Sequence, residues 1–132
     1  MSFLLDQDIY AAALRGNPLV TSRWTQNLGR LHVSAVTVTM LEMWLVRSRT
    51  PSRYLQAYGT LMSQAKVLSV DDAVARRAAR VGSRLRSQGQ PLPLVALLIA
   101  GTALEHNLTL VTHHTQLFAP VPGLPLADWL VP

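Results

Sequence analysis

The stretch from Leu94 to Leu104 contains no charged side chain, which predicts a helix that is apolar on nearly all sides and therefore interior. Glu105–Asn107 should end this helix, because Asn tolerates the left-handed conformation of a helix C-terminus. The segment that follows, Leu108–Val111, is rich in β-formers and is typical of a buried strand in a parallel sheet. A buried helix that leads into a buried strand is half of an α/β layer, and the remaining chain must cover it.

Similar segments alternate along the rest of the chain. The predicted strands are Ser2–Leu5, Leu31–Val36, Val67–Val70, Leu108–Val111 and a short edge strand at Leu124–Leu126. The predicted helices are Gln7–Arg15, Leu19–Leu28, a segment from Thr37 or Thr39 to Val46, a segment from Pro51 to Ala65, and one from Asp71 or Asp72 to Ser87. This alternation predicts an α/β fold with a short parallel sheet of four to five strands flanked by helices.

Composition limits the classes of protein to which this chain can belong. Its 132 residues predict a single domain over 1–132, and the absence of cysteine excludes disulfide scaffolds, thiolate zinc sites and cysteine nucleophiles. Apolar residues make up 49% of the chain and charged residues only 14%, so we expect a homodimer or another bound partner to cover apolar surface. Leu94–Leu104 falls short of the ~20 residues that span a bilayer. With no basic segment at the N-terminus, we expect a soluble, cytoplasmic protein without a membrane partner.

The net charge of +5 comes largely from arginine, a side chain suited to phosphate and carboxylate. One group, Arg76, Arg80 and Arg84, falls on one stripe of a predicted helix, which is either an RNA-phosphate contact or simply a solvated face. A second group lies in and after a polar loop near the expected mouth of a cleft and is the better candidate for contact with RNA or a partner. It comprises Arg47, Arg49 and Arg53.

Ligands of open parallel sheets bind beyond the carboxyl ends of the strands. In this chain those ends carry Asp6, Thr37 and the segment Thr112–His114. The sequence therefore predicts a site at this edge of the sheet.

Several of these segments resemble one known family. They are Leu4–Asp6, Ser34–Thr37, Gly89–Pro91 followed by Leu97–Ala100, and Leu108–Thr112 followed by Phe118 and Val121–Leu124. The chain resembles the PIN-domain family along nearly its whole length, in particular the small VapC-like toxins of bacterial toxin–antitoxin pairs. The resemblance implies a three-layer sandwich, an antitoxin-like partner, and RNA cleavage assisted by Mg²⁺ or Mn²⁺ on three or four clustered carboxylates.

The chain departs from the family pattern at most of its acidic positions. Asp6 matches the first acid, whereas the other expected positions are substituted: they fall at Met40, Leu94, Ala96 and His114. Asp8 adds an acid. Glu42 lies two residues after Met40, and two residues along a helix correspond to a rotation of about 200°, so its side chain should face elsewhere.

Two interpretations of these residues stay open. In the first, most metal-binding acids are lost, Asp6 serves as a helix cap, and no metal binds. The protein is then a catalytically impaired binding module, a pseudoenzyme that holds RNA or a partner. In the alternative, Asp6 remains catalytic and binds Mg²⁺ or Mn²⁺ with Asp8, His114 and, more weakly, Glu42, giving an active endoribonuclease. A third hypothesis is a mainly structural homodimer. We rank the binding module first, because loss of the acids at Leu94 and Ala96 would remove one wall of the metal site.

Overall fold

The computed structural model describes residues 1–47 and 49–132. Its five strands are β1 (Phe3–Leu5), β2 (Leu31–Ser34), β3 (Lys66–Leu68), β4 (Thr109–Val111) and β5 (Leu126–Ala127). Its helices are α1 (Gln7–Leu14), α2 (Pro18–Gln26), α3 (Ala35–Arg47), α4 (Ser52–Ser63), α5 (Asp72–Ser87), α6 (Leu94–Glu105) and the single turn α7 (Thr115–Phe118).

The strands form one parallel sheet in the order β3-β2-β1-β4-β5. The central strand β1 pairs with β2 through Phe3 and Leu31, and with β4 through Leu4 and Leu110. The predicted parallel α/β sheet is confirmed, and the last strand lies at an edge as expected.

Both faces of the sheet are buried, because successive side chains of a strand point to opposite faces. Phe3 and Leu5 belong to one apolar cluster that includes Trp24 of α2. Leu4 belongs to a second cluster that includes Leu85 of α5 and Ile99 of α6. Helices therefore cover both faces, which is the three-layer sandwich that the resemblance implies.

Capping side chains set several helix boundaries. Asp6 accepts a hydrogen bond from the Gln7 amide at the start of α1, and Asp71 accepts one from the Val74 amide at the start of α5. At the end of α6, Asn107 takes a φ of 55°, which confirms the predicted left-handed cap.

The structure differs from the prediction at several boundaries and in one helical turn that was not predicted. Strand β2 ends at Ser34 and α3 begins at once, rather than at Thr37 or Thr39, because the Ser34 hydroxyl caps the helix by accepting a hydrogen bond from the Val36 amide at 3.1 Å. The last strand is Leu126–Ala127 instead of Leu124–Leu126. The turn α7 was not predicted, because four residues give no clear periodicity.

In the described part of the chain, no helix combines the length and apolar character needed to cross a membrane.

Candidate functional site

Asp6 occupies the junction between β1 and α1 at the carboxyl edge of the sheet, and only 7% of it is exposed. Its Oδ1 accepts a hydrogen bond from the Gln7 amide at 2.8 Å, and its Oδ2 accepts one from the Thr112 hydroxyl at 2.9 Å. Thr112 directly follows β4, the neighbour of β1, so two adjacent strand ends bring these side chains together. As predicted, Asp6 and Thr112 lie at one edge of the sheet.

Burial raises the pKa of the Asp6 carboxyl above its ordinary value, and the negative charge of Asp8 raises it further. The hydrogen bonds from Gln7 and Thr112 oppose this shift, and so does the charge of His114. The ionised form of Asp6 is therefore less favourable in the folded protein than in water. A cation placed beside this carboxylate would offset the penalty.

Asp8 lies in the first turn of α1 and links it to the loop after β4. Its Oδ2 accepts a hydrogen bond from the His113 amide at 2.8 Å and lies 3.7 Å from Nε2 of His114. Its Oδ1 is buried and has no hydrogen-bond partner among the described residues. This oxygen is thus a buried acceptor whose hydrogen-bonding capacity the described residues leave unsatisfied.

The two adjacent histidines point to different partners. The His113 ring places Nδ1 2.9 Å from Oδ2 of Asp128, near the C-terminal end of the chain. His114, in contrast, lines a cleft together with Asp6 and Asp8. Of the two, only His114 is therefore a candidate ligand in that cleft.

This cleft has a volume of about 470 Å³ and combines a few polar groups with extensive apolar walls. The polar side chains belong to Asp6, Gln7, Asp8, Arg15 and His114. The apolar lining comprises Ala11, Met40, Trp44, Pro93, Val95, Ala96, Ile99, Leu117 and Phe118. Such a cleft favours a ligand with both apolar and cationic parts.

The structure separates the substituted acid positions into two groups. Met40 of α3 and Ala96 of α6 line the cleft together with Asp6, as does His114. Leu94 does not: it is 70% exposed and lines a different groove, between α5 and α6. The expectation that Leu94 forms a wall of the site is therefore corrected, and Pro93 and Val95 line the cleft at the start of α6 instead.

Glu42 is not among the residues that line the cleft. It is exposed and lines a separate groove on α3, where its Oε2 accepts a hydrogen bond from the Tyr58 hydroxyl at 3.1 Å. The rotation of about 200° between Met40 and Glu42 explains this placement. Glu42 is thus not brought together with the other candidate ligands.

The side chains that line the cleft do not fit a dedicated Mg²⁺ or Mn²⁺ site. Within the residues that the structure describes, no three histidine, aspartate or glutamate side chains are placed to hold one metal ion. Methyl and thioether groups line the cleft at Ala96 and Met40, and neither is an oxygen ligand. Hard divalent ions require oxygen ligands, and Mg²⁺ retains several waters even at good sites.

The candidate contact arginines are not among the residues that line the cleft. Arg47 lines a neighbouring groove with Gln7, Met40 and Trp44, three residues that also line the cleft. Arg53 places its guanidinium 5.1 Å from the centre of the Tyr54 ring. Arg49 is exposed in the turn after α3.

The sequence analysis did not place Arg15 or Trp44 at the site, although both line the cleft. A signal for Arg15 was present: Asp8, Ala11 and Arg15 have the spacing i, i+3, i+7, which places them on one face of α1. Once Asp8 was a candidate, this spacing could have added Arg15. Trp44 follows Met40 by four residues on α3, so these two side chains also lie on one face of their helix.

The comparisons with known proteins agree with this geometry. The PIN domain profile matches residues 3–122. The chain is 32% identical over 130 residues to the "tRNA(fMet)-specific endonuclease VapC" of Shigella flexneri, with 98% of both chains covered.

Solved structures of toxin–antitoxin proteins share the fold. One chain of the DNA-bound VapBC structure from Salmonella typhimurium superposes with a TM-score of 0.89 at 26% identity, covering 98% of each chain. VapBC-1 from nontypeable Haemophilus influenzae gives a TM-score of 0.85 at 25% identity, covering 99% of this chain and all of the other (100%). The chain therefore belongs to the PIN-domain family and, within it, to the VapC-like proteins of bacterial toxin–antitoxin systems.

Proposed function

We propose that this VapC-like protein is catalytically impaired and acts mainly as a binding module, whose cleft holds a segment of an antitoxin-like partner protein. The observation that carries the proposal is that Met40 and Ala96 line the cleft beside Asp6, at positions where the family resemblance expects acids. With Asp6 and Asp8 as the carboxylates of this cleft, the oxygen ligands are too few for a dedicated divalent ion.

The chemistry of the cleft indicates which side chain of the partner it would accept. Asp6 and Asp8 provide negative charge that the single arginine among the described residues of the cleft, Arg15, does not fully offset. Val95 and Trp44 provide apolar walls. A lysine or arginine side chain matches both, since its stem is apolar and its head can donate charge-assisted hydrogen bonds. Relatives with this fold are found in VapBC complexes, which supports an antitoxin as the source of that side chain.

Other parts of the proposal concern surfaces outside the cleft. Arg47, Arg49 and Arg53 would contact the partner or RNA beside the cleft mouth. Exposed apolar side chains of α3, Met43 and Val46, are compatible with a homodimer. We place these interactions in the bacterial cytoplasm.

A second candidate function is a metal-dependent endoribonuclease with a rearranged site. It is favoured by the meeting of Asp6, Asp8 and His114 in one cleft, and by relatives that are named endonucleases. In this case Asp6 would be catalytic and the ion, Mg²⁺ or Mn²⁺, would be held by fewer protein ligands than in the family pattern.

Restoring the acids tests the two functions. RNA cleavage is measured with Mg²⁺ and with Mn²⁺ for the wild type, for Asp6→Ala and for Met40→Glu/Ala96→Asp. We expect little wild-type activity, and a metal-dependent gain in Met40→Glu/Ala96→Asp because both positions line the cleft. Leu94→Asp is the matched control, since Leu94 lies outside the cleft and should produce no gain.

The same variants provide a readout that does not depend on turnover. Mn²⁺ should raise the melting temperature of Met40→Glu/Ala96→Asp but not that of the wild type or Leu94→Asp, because only a bound ion stabilises the folded state. Strong wild-type cleavage that needs metal and disappears in Asp6→Ala would reject the impaired-module proposal and establish the second candidate.

A further inference from the structure

Most of the net positive charge of this protein is concentrated in one helix. Helix α5 contains five arginines and one aspartate, a net charge of +4, whereas the whole chain carries +5. A charge distribution this uneven creates a local positive potential that the modest total does not reveal.

Three of these arginines form a continuous exposed row. Arg76, Arg80 and Arg84 follow one another at four-residue intervals, a rise of about 6 Å and a rotation of about 40° per step. We call this row the arginine face. The opposite side of α5 is buried against the core through Val74, Ala78, Val81 and Leu85. The arginine face therefore points to solvent along about two turns of helix.

The charges of the arginine face are not neutralised by the rest of the described chain. Arg80 and Arg84 form no ion pair with any described residue. Arg76 contacts Asp72 at 3.0 Å, but both side chains are largely exposed, so this pair contributes little and can be exchanged for another anion. The guanidinium groups are thus available to an external ligand.

Favourable interaction with the helix dipole explains only part of this pattern. Cations stabilise the last turn of a helix, which accounts for Arg84 and Arg86. The effect falls off within that turn, so it does not account for Arg76 and Arg80. Arg80 forms no ion pair with a described residue, and Arg76 has only the exposed pair with Asp72.

The chemistry of the face favours a nucleic-acid backbone over an acidic protein. A stable protein interface has an apolar centre, but none of the exposed large hydrophobic residues in the described part of the protein belongs to α5. Exposed Leu94 lies in the groove between α5 and α6, which Arg86 lines but Arg80 and Arg84 do not. The small exposed residues near the arginine face, Ala73, Ser83 and Ser87, let an extended backbone approach closely. Arginine binds phosphate in a bidentate manner, and nucleic-acid interfaces are strongly positive.

From these observations we infer that the arginine face of α5 binds the phosphate backbone of a nucleic acid, at a surface separate from the cleft. Arg80 and Arg84 do not line the cleft, so this surface does not require the proposed function of the cleft to be correct. Contacts to phosphate groups do not depend on the base sequence, and the same contacts can form with RNA and with DNA.

The test is fluorescence anisotropy of the full chain with a labelled 20-nucleotide single-stranded RNA between 50 and 200 mM NaCl. Arg80→Gln/Arg84→Gln should weaken binding roughly tenfold at the lowest salt concentration. It should also reduce the slope of log K against log salt concentration by about 1.4, which is about 0.7 for each lost phosphate contact. Arg80→Lys/Arg84→Lys keeps the charges and should restore the slope, with part of the affinity.

Arg30→Gln/Lys66→Gln is the matched control, because it removes the same charge from exposed residues outside α5. We expect its salt slope to equal that of the wild type. Circular dichroism verifies that each variant is folded. If the control double variant loses as much affinity as Arg80→Gln/Arg84→Gln, the effect is one of net charge and the inference is wrong.

Two further ligands identify the partner chemistry. DNA of the same sequence should bind within a few-fold of the RNA, and a preference above tenfold for either would overturn recognition through the backbone alone. Polyglutamate should compete poorly; competition as strong as that of unlabelled RNA would instead assign the arginine face to an acidic protein segment.

Discussion

The hydroxyl of Thr112 donates a hydrogen bond to Oδ2 of Asp6 at 2.9 Å and accepts one from the amide of His114 at 3.0 Å. Thr112 is fully buried and Asp6 nearly so. This single hydroxyl therefore connects the end of β1, the end of β4 and the loop that carries His114. The carboxylate that the family would use for chemistry is here part of the structural framework of the sheet edge.

Replacing Thr112 should be costly because of that connection. Thr112→Val keeps the shape but removes the hydroxyl, leaving an oxygen of Asp6 and the His114 amide without their partner. We expect the free energy of unfolding to fall by about 1–3 kcal/mol, measured by urea denaturation. Thr112→Ser retains the hydroxyl but loses a buried methyl group, and it controls for that loss. A Thr112→Val protein as stable as the wild type would show that the hydrogen bonds contribute nothing.

The raised pKa of Asp6 predicts a pH-dependent effect of Asp6→Asn. Burial and the charge of Asp8 raise the pKa of this carboxyl in the folded protein, so the folded state holds its proton more tightly than the unfolded state does. The contribution of Asp6 to stability is present below its unfolded pKa of 3.8 and is lost as the pH rises through its folded pKa.

Asn resembles the neutral acid in shape and does not titrate. At pH 7, Asp6→Asn should therefore have a higher melting temperature than the wild type. Its free energy of unfolding should be larger by an amount of the order of 1 kcal/mol. The difference should shrink as the pH is lowered toward 3. Thermal unfolding of both proteins between pH 3 and 7 measures it, and a variant that gains stability on acidification relative to the wild type would contradict the predicted sign.

Two glycines in helices should respond to alanine in opposite ways. A Cβ at Gly101 of α6 would lie 3.0 Å from the Cβ and from the backbone nitrogen of Ala78 in α5, so Gly101→Ala must separate the two helices. We expect a loss of about 1–3 kcal/mol. Gly59 of α4 has no atom within 4 Å of such a Cβ, and Gly59→Ala should gain roughly 0.5–1 kcal/mol from helix propensity. Chemical denaturation of both variants tests the close approach of α5 and α6.

The position of Glu42 can be measured through Tyr58. Burial, the hydrogen bond to Glu42 and the charge of Glu42 together raise the pKa of Tyr58 to about 12. Glu42→Gln removes that charge, so the pKa of Tyr58 should move down toward 10. Tyrosinate absorbance during an alkaline titration records the change, with Tyr58→Phe to identify the signal. An unchanged titration would mean that Glu42 does not contact Tyr58.

Sequence reasoning reached Asp6, Thr112 and His114 as a group, because parallel strands end at one edge of a sheet whatever the packing around them. It did not determine which residue of α6 faces the cleft. Leu94 and Ala96 are two residues apart, and a rotation of about 200° puts one beside Asp6 and the other in the groove with α5. The same rotation separates Met40 from Glu42 on α3. Such choices depend on how each helix is turned as it packs.

The sequence by itself determined the alternation of helices and strands, the parallel sheet and the loss of acids, since each follows from local periodicity, capping and residue identity. Only the tertiary structure decided that Trp44, Val95 and Arg15 share a cleft with Asp6 and Asp8, and that the arginines of α5 lie away from it. The physical reason is that a pattern specifies which side of a helix is buried, whereas the packing of several helices on a sheet specifies what the other sides meet.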